Sequence, residues 1–396
     1  MNQLQTPKIK STLDSNENLK KQIEKFQQEI KQIKEQNAKL FKLNESNSEE
    51  VNKIKQIVSR IISLLSQKKR EPTKITKIIN QTTKYFQAEN LHSTQVYDLI
   101  QIEDKRIVTS SEDGTICISK IDYEKKTWNI QCLSRNAHDG AINSLCELSR
   151  KRIVSGGDDN LIKVWDCSNQ SKLINLYNLI GHTKGIDKII KLSQDRIASS
   201  SSEDRTVIIW KSEEPFTQIQ VIIQNSSPIS ILQLTYNSET MCIACYENSF
   251  GYINFHYLFD SYGIKRTIND VWTNSPNGLI ELSNGHIVAS RGSHPVPCIF
   301  VIDPINLRKV AEIINPAYIN NDGTLCQWNK DSFIFANGNC FCQILLINDI
   351  YSLVYTTKNQ AEQIYGENAI IFNEKEKYLI VARLKGFNII KYELKA

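Results

Sequence analysis

Gly156-Gly157-Asp158-Asp159-Asn160-Leu161-Ile162-Lys163-Val164-Trp165-Asp166 is the stretch on which the fold turns. A tight turn built from Gly, Asp and Asn runs into an apolar strand that ends on Trp-Asp. Ser155 stands four residues before Asp159, and His138 stands 21 before it, four ahead of Ile142. The same spacing recurs on either side. Upstream it is His92, Val96, Thr109 and Asp113; downstream it is His182, Ile186, Ser200 and Asp204, with one extra residue between His and Asp. Trp210 follows Asp204 by six residues, as Trp165 follows Asp159, while Ser119 takes that place in the upstream copy.

The period is about 45 residues, the length of one four-stranded unit of a repeat protein. Apolar strands of the Ile162–Trp165 type recur at 115–121, 161–167, 206–211, 251–257, 298–303, 343–348 and 387–393. Each follows a second β-like run, and six are followed by an outer one, such as 173–179 or 217–223. The seventh has none, and 83–91 is the one spare strand-like segment at the other end. An unpaired edge invites aggregation, so 83–91 is expected to supply the missing outer strand. The expected fold class is all-β.

These residues resemble the WD-repeat family, whose members are β-propellers, here of seven blades. The resemblance implies that His, Ser or Thr, Asp and Trp form a hydrogen-bonded brace inside each blade. His138, Ser155 and Asp159 are then a structural chain despite their likeness to a catalytic triad. The last four copies lack His, turn Asp and Trp, and carry apolar residues in their place, as in Tyr252-Ile253-Asn254-Phe255. The resemblance also places the residue before each brace Asp on the face used for ligands. That residue is acidic three times, at Glu112, Asp158 and Glu203, with Arg205 close by.

The 396 residues carry a net charge of +5, unevenly spread. Residues 1–90 hold 18 Lys and Arg against 10 Asp and Glu; the other 30 and 33 make the rest mildly acidic. Within the basic arm Leu19, Ile23, Phe26, Ile30, Ile33, Asn37, Leu40, Val51, Ile54, Val58, Ile61 and Leu65 keep one heptad phase. Ile23, Ile30, Val51 and Val58 fall at a, with Asn37 the polar a position; this pattern favours a parallel pair of helices. Asn44-Glu45-Ser46-Asn47-Ser48 is rich in turn residues, and Ser46 with Glu49 reads as a capping box. The arm is either one helix over 14–70 or two that break near 44–48, pairing with itself or with another protein. Residues 1–13 read as a disordered tail, 71–82 as a linker beginning before Pro72, and 83–396 as the propeller.

No stretch approaches the ~20 apolar residues of a membrane span, and the first residues do not read as a secretory signal. The ten Cys are expected as free thiols in a reducing compartment, the cytoplasm. Cys242 and Cys245 fall in one strand, where i and i+3 point apart; Cys340 and Cys342 share a face without a second pair. Neither arrangement reads as a zinc site, and no metal or cofactor is expected. Phosphate-loop, dinucleotide and hydrolase motifs are absent, so an enzyme is not expected. The reading is a protein–protein scaffold or adaptor whose face takes Lys- or Arg-containing segments. The rival is a nucleic-acid-associated subunit that uses the basic arm.

Overall fold

The computed structural model describes residues 79–148, 151–235, 240–247, 250–257, 264–273, 276–291, 298–314, 323–329, 332–337, 340–347, 350–358, 370–373, 378–383 and 385–394. All lie in one unit spanning Lys74–Ala396. The heptad positions from Leu19 to Leu65, the possible break at 44–48 and the linker up to residue 78 lie outside the described residues.

After β1 (Ile79–Ala88), the chain forms a sheet from β2 (Val96–Gln101), β3 (Ile107–Ser111), β4 (Ile116–Asp122) and β5 (Thr127–Ser134). The second sheet is β6 (Ile142–Glu147), β7 (Arg152–Gly157), β8 (Ile162–Asp166) and β9 (Ile174–Leu179). The third is β10 (Lys188–Leu192), β11 (Arg196–Ser201), β12 (Thr206–Lys211) and β13 (Gln218–Ile223). Then come β14 (Ser227–Gln233), β15 (Thr240–Glu247), β16 (Phe250–Tyr257) and β17 (Ile264–Thr273), followed by β18 (Pro276–Glu281), β19 (Ile287–Arg291), β20 (Cys298–Asp303) and β21 (Arg308–Ile314). A sixth sheet holds β22 (Gly323–Asn329), β23 (Ser332–Asn337), β24 (Cys340–Ile347) and β25 (Ile350–Lys358). The last runs β1-β28-β27-β26, from β26 (Ile370–Asn373), β27 (Tyr378–Arg383) and β28 (Gly386–Leu394). The architecture is an all-β propeller.

Burial rises and falls across each sheet. β3 and β11 are buried at every residue, whereas β9 and β13 are mostly exposed. The core therefore sits between successive sheets: Val108 and Ile118 of the first pack with Ile142, Leu145 and Trp165 of the second. Val164 and Leu179 meet Ile189, Trp210 and Phe216 in the same way. Where inner strands come this close, second strands need small residues. Ser110, Gly156, Ser200, Ala244, Ser290 and Ala336 occupy one register position, opposite Asp98, Ser144, Lys188, Ser230, Gly278 and Thr324. A Cβ on Gly156 would come within 2.6 Å of Ile186 Cγ2.

Polar links tie neighbouring sheets together. The Leu145 amide donates to buried Asp98 at 2.8 Å, and the Ile189 amide donates to Ser144 Oγ at 3.0 Å. Elsewhere Arg106 Nη2 donates to the Cys167 carbonyl at 2.7 Å, and Arg152 Nη2 reaches Glu214 at 3.3 Å. His286 Nδ1 and the Tyr351 hydroxyl make the corresponding contact at 2.8 Å.

β1 pairs antiparallel with β28, with Phe86 opposite Ile389 and Ala88 opposite Phe387. The strand starts four residues before the expected 83 and stops at Ala88. It stops there because Asn90 takes a left-handed φ of 58°, after which the Leu91 and His92 amides both donate to the Lys385 carbonyl.

Candidate functional site

The second sheet's brace begins with a turn that sequence chemistry makes unusually tight. A Cβ on Gly157 would lie 2.8 Å from His138 Nδ1 and from the Ala141 carbonyl, so only glycine lets the imidazole in. The residue after each brace Asp is left-handed: Gly114 (φ 73°), Asn160 (φ 66°) and Arg205 (φ 59°). Gly and Asn adopt that region at little cost; Arg does so less readily.

His138 Nδ1 lies 2.7 Å from Asp159, its Nε2 lies 2.7 Å from Ser155 Oγ, and Trp165 Nε1 lies 2.8 Å from the same hydroxyl. Indole donates only and an ionised carboxylate accepts only. The direction is thereby set: Trp165 donates to Ser155, Ser155 to His138 Nε2, and His138 Nδ1–H to Asp159. Ser155 and His138 are 0% and 3% exposed, so the hydroxyl is shut off from solvent. Lys163 Nζ adds a 3.2 Å contact to Asp159.

The third sheet repeats the chain with one correction. His182 Nε2 and Trp210 Nε1 both reach Ser199 Oγ, at 2.7 and 2.9 Å, and His182 Nδ1 lies 2.8 Å from Asp204. Ser200, four before the Asp, is not the brace residue. Counting from the His gives 17 residues in all three copies. The extra residue lies in the turn between β11 and β12, so counting back from Asp204 misses by one.

The first sheet works differently again. His92 Nε2 meets Thr109 Oγ1 at 2.7 Å, but Nδ1 meets Thr115 Oγ1 at 2.5 Å, and Asp113 stands 3.7 Å away. Thr115 passes the link on, donating to Asp113 at 2.5 Å. Ser119, in the Trp position, is buried beside Cys117.

Burial alone would raise the brace carboxylates. For Asp159 the bonds from His138, the Asp139 amide and the Leu161 amide outweigh burial and hold it well below the usual range. Asp113 and Asp204 are lowered in the same way, by His92 and Thr115 and by Thr206 and His182. Burial lowers the His182 imidazole despite Asp204.

Beside the brace lie the predicted face residues, and Glu112, Asp158, Glu203 and Arg205 are all exposed. The Glu112 and Asp158 amides are fixed to the Gln95 and Ala141 carbonyls. Asp158 accepts from Asn143 Nδ2 at 2.7 Å, Glu203 lies 3.7 Å from Lys184, and Arg205 reaches the Asn225 carbonyl at 3.4 Å. A fourth acid, Asp187, went unnoticed in the sequence. It is half-buried and held by the Ser202 amide. Burial, with Asp158 and Glu203 nearby, pushes its carboxyl up to about 6. Its signal was position: it stands five after His182, as Asn143 stands five after His138.

The fourth sheet was expected to be apolar where the brace stands. It holds a different buried chain. Thr267 donates to Asn254 at 2.9 Å, Asn254 donates to Gln224 at 3.0 Å, and Gln224 Nε2 meets His256 Nε2 at 3.1 Å. Burial brings His256 down to about 4.

Cys242 and Cys245 lie in β15, and Cys340 and Cys342 in β24. Among the described residues no three His, Cys, Asp or Glu side chains converge as a metal would require. Nor is any helix there long and apolar enough to cross a membrane.

The family model described as "WD domain, G-beta repeat" matches residues 130–166 and 174–211, the second and third braced units. Among solved structures, the WD40 beta propeller domain of Doa1 is similar with a TM-score of 0.62 at 16% identity, covering 79% of this chain and 98% of that one. Comparison with curated proteins gives no match.

Proposed function

We propose that this chain, a WD40-repeat β-propeller protein, is a non-catalytic scaffold whose turn face takes Lys- or Arg-containing segments of partner proteins. One observation carries the reading. Three consecutive sheets present an exposed carboxylate at the same turn position, Glu112, Asp158 and Glu203, beside turns anchored by the braces. Asp187 adds a fourth acidic group between Asp158 and Glu203. Rigid turns hold such groups without an ordering cost at the moment of binding.

The ring in this proposal has seven blades, one per four-stranded sheet, and β1 closes it by joining β28. The heptad arm doubles or tethers it, by self-association or with a helix of another protein, and doubling raises avidity through effective concentration. The proposed compartment is the cytoplasm, in keeping with four buried cysteines that form no disulfide among the described residues: Cys117, Cys132, Cys146 and Cys167. The arm's excess of Lys and Arg favours one rival, association with nucleic acid.

The test is co-purification from the protein's own cells. The intact chain runs beside residues 73–396 and beside the triple variant Glu112→Lys, Asp158→Lys, Glu203→Lys. Proteins held by 73–396 and lost from the triple variant support the reading. Retention of every partner by the triple variant contradicts it, and recovery of nucleic acid alone favours the rival.

A further inference from the structure

Asp158 differs from the two acids that share its place in the turns. The Glu112 carboxylate is exposed and nothing among the described residues holds it, while Glu203 already has Lys184 at 3.7 Å. The Asp158 carboxylate is exposed yet fixed. Asn143 Nδ2 donates to its Oδ1 at 2.7 Å and to the Ile186 carbonyl at 3.0 Å. One amide thus uses both its N–H groups, and ties the second sheet to the loop that enters the third. A Cβ on Gly185 would lie 3.1 Å from Asp158 Oδ1, and one on Gly140 would lie 3.2 Å from Asp158 Cβ, so two glycines leave room for the side chain. Next to Ile186 stands Asp187, whose Oδ2 accepts from the Ser202 amide at 2.5 Å. Burial, and then repulsion from Asp158 and Glu203, push its carboxyl up to about 6.

We propose, resting on the scaffold reading, that Asp158 decides which basic side chain the turn face takes, that it selects lysine over arginine, and that Asn143 positions it. Arginine pairs best with a carboxylate that offers both oxygens to its planar fork. At Asp158 one oxygen is engaged by Asn143, and at Asp187 one is engaged by the Ser202 amide, so neither offers that pair. An ammonium is a compact charge with three divergent donors. It can bond Asp158 Oδ2 and turn a second N–H towards Asp187 Oδ1, which eases the repulsion between the two acids. Asn143 meets no ligand itself; it fixes which oxygen of Asp158 stays free. Held beforehand, Asp158 binds without the ordering cost that the unheld Glu112 incurs.

The experiment uses the full chain and two immobilised peptides, one alternating lysine with serine, the other alternating arginine with serine. Binding is read by surface plasmon resonance. The lysine peptide is expected to bind several-fold more tightly, and Asn143→Leu and Asp158→Asn are each expected to remove that preference. Arginine ordinarily binds carboxylates at least as well, so charge alone would not give this result. Glu112→Gln weakens both peptides alike and keeps the preference. Should Asn143→Leu fail to fold, Asp158→Asn carries the comparison. Equal affinity for the two peptides, or a preference for arginine, overturns the proposal and leaves the scaffold reading standing. A lysine preference that survives Asp158→Asn overturns the assignment to Asp158, and one that survives only Asn143→Leu overturns the positioning role. Binding of neither peptide, or binding that the triple lysine variant keeps, overturns the proposal and the scaffold reading together.

Discussion

The indole of Trp210 donates to Ser199 Oγ at 2.9 Å, and the neighbouring Ser200 hydroxyl is buried with no partner among the described residues. The two serines should therefore respond oppositely to the same change. Ser199→Ala strands the indole N–H and His182, and is expected to cost about 1–3 kcal/mol. Ser200→Ala removes a hydroxyl with no partner among the described residues and should leave stability unchanged or higher. Urea denaturation midpoints of the two variants decide the point; equal losses would argue against the assignment.

Acid should loosen the fourth sheet. His256 titrates at about 4 in the folded chain, below the ~6.5 of an unfolded histidine. The unfolded state takes the proton first, so stability is full above pH 6.5 and falls as pH drops towards 4, by at most ~3 kcal/mol. Asp187 opposes this. Its pKa is raised to about 6, so its stabilising share is present below about pH 4 and lost as pH rises through 6. Denaturation of wild type and His256→Gln at pH 7 and pH 5 separates the two effects: the variant should lose less stability on acidification.

The three braced sheets were readable because their signals are strict. His138, Asp159 and Trp165 must be those residue types, since each is the donor or acceptor that satisfies the next. The error at Ser200 came from measuring along a turn, where insertions are tolerated, rather than along the strands, where 17 residues separate His from hydroxyl each time. The polar chain from Thr267 to His256 was hidden because Gln, Asn and Thr in strands look like surface residues until burial is known. One further signal was present and unread. The small residues Ser110, Gly156, Ser200, Ala244, Ser290 and Ala336 mark the sheets at intervals of 44–46, including sheets without a brace.

That column makes its own prediction. Gly156→Val forces a branched side chain against Ile186 and Ile189, whose atoms lie 2.6 and 2.8 Å from the added Cβ. The expected cost is about 1–3 kcal/mol or more, as overpacking gives. A thermal melt showing no loss would mean that the inner strands are not held as closely as described.

Strand β1 should be indispensable to the ring. A chain beginning at Ser93 leaves β28 without its neighbour, and is expected to aggregate, while one beginning at Thr73 stays soluble. Equal solubility and equal melting temperatures for the two would remove β1 from the account.

The most direct test of the scaffold reading is chemical cross-linking of the intact chain to its captured partners, with the joined residues identified by mass spectrometry. The account predicts that cross-links cluster around Glu112, Asp158, Asp187 and Glu203, and that the partner residues joined there flank Lys or Arg. Cross-links confined to residues 1–72, or spread evenly over the sheets, would contradict it.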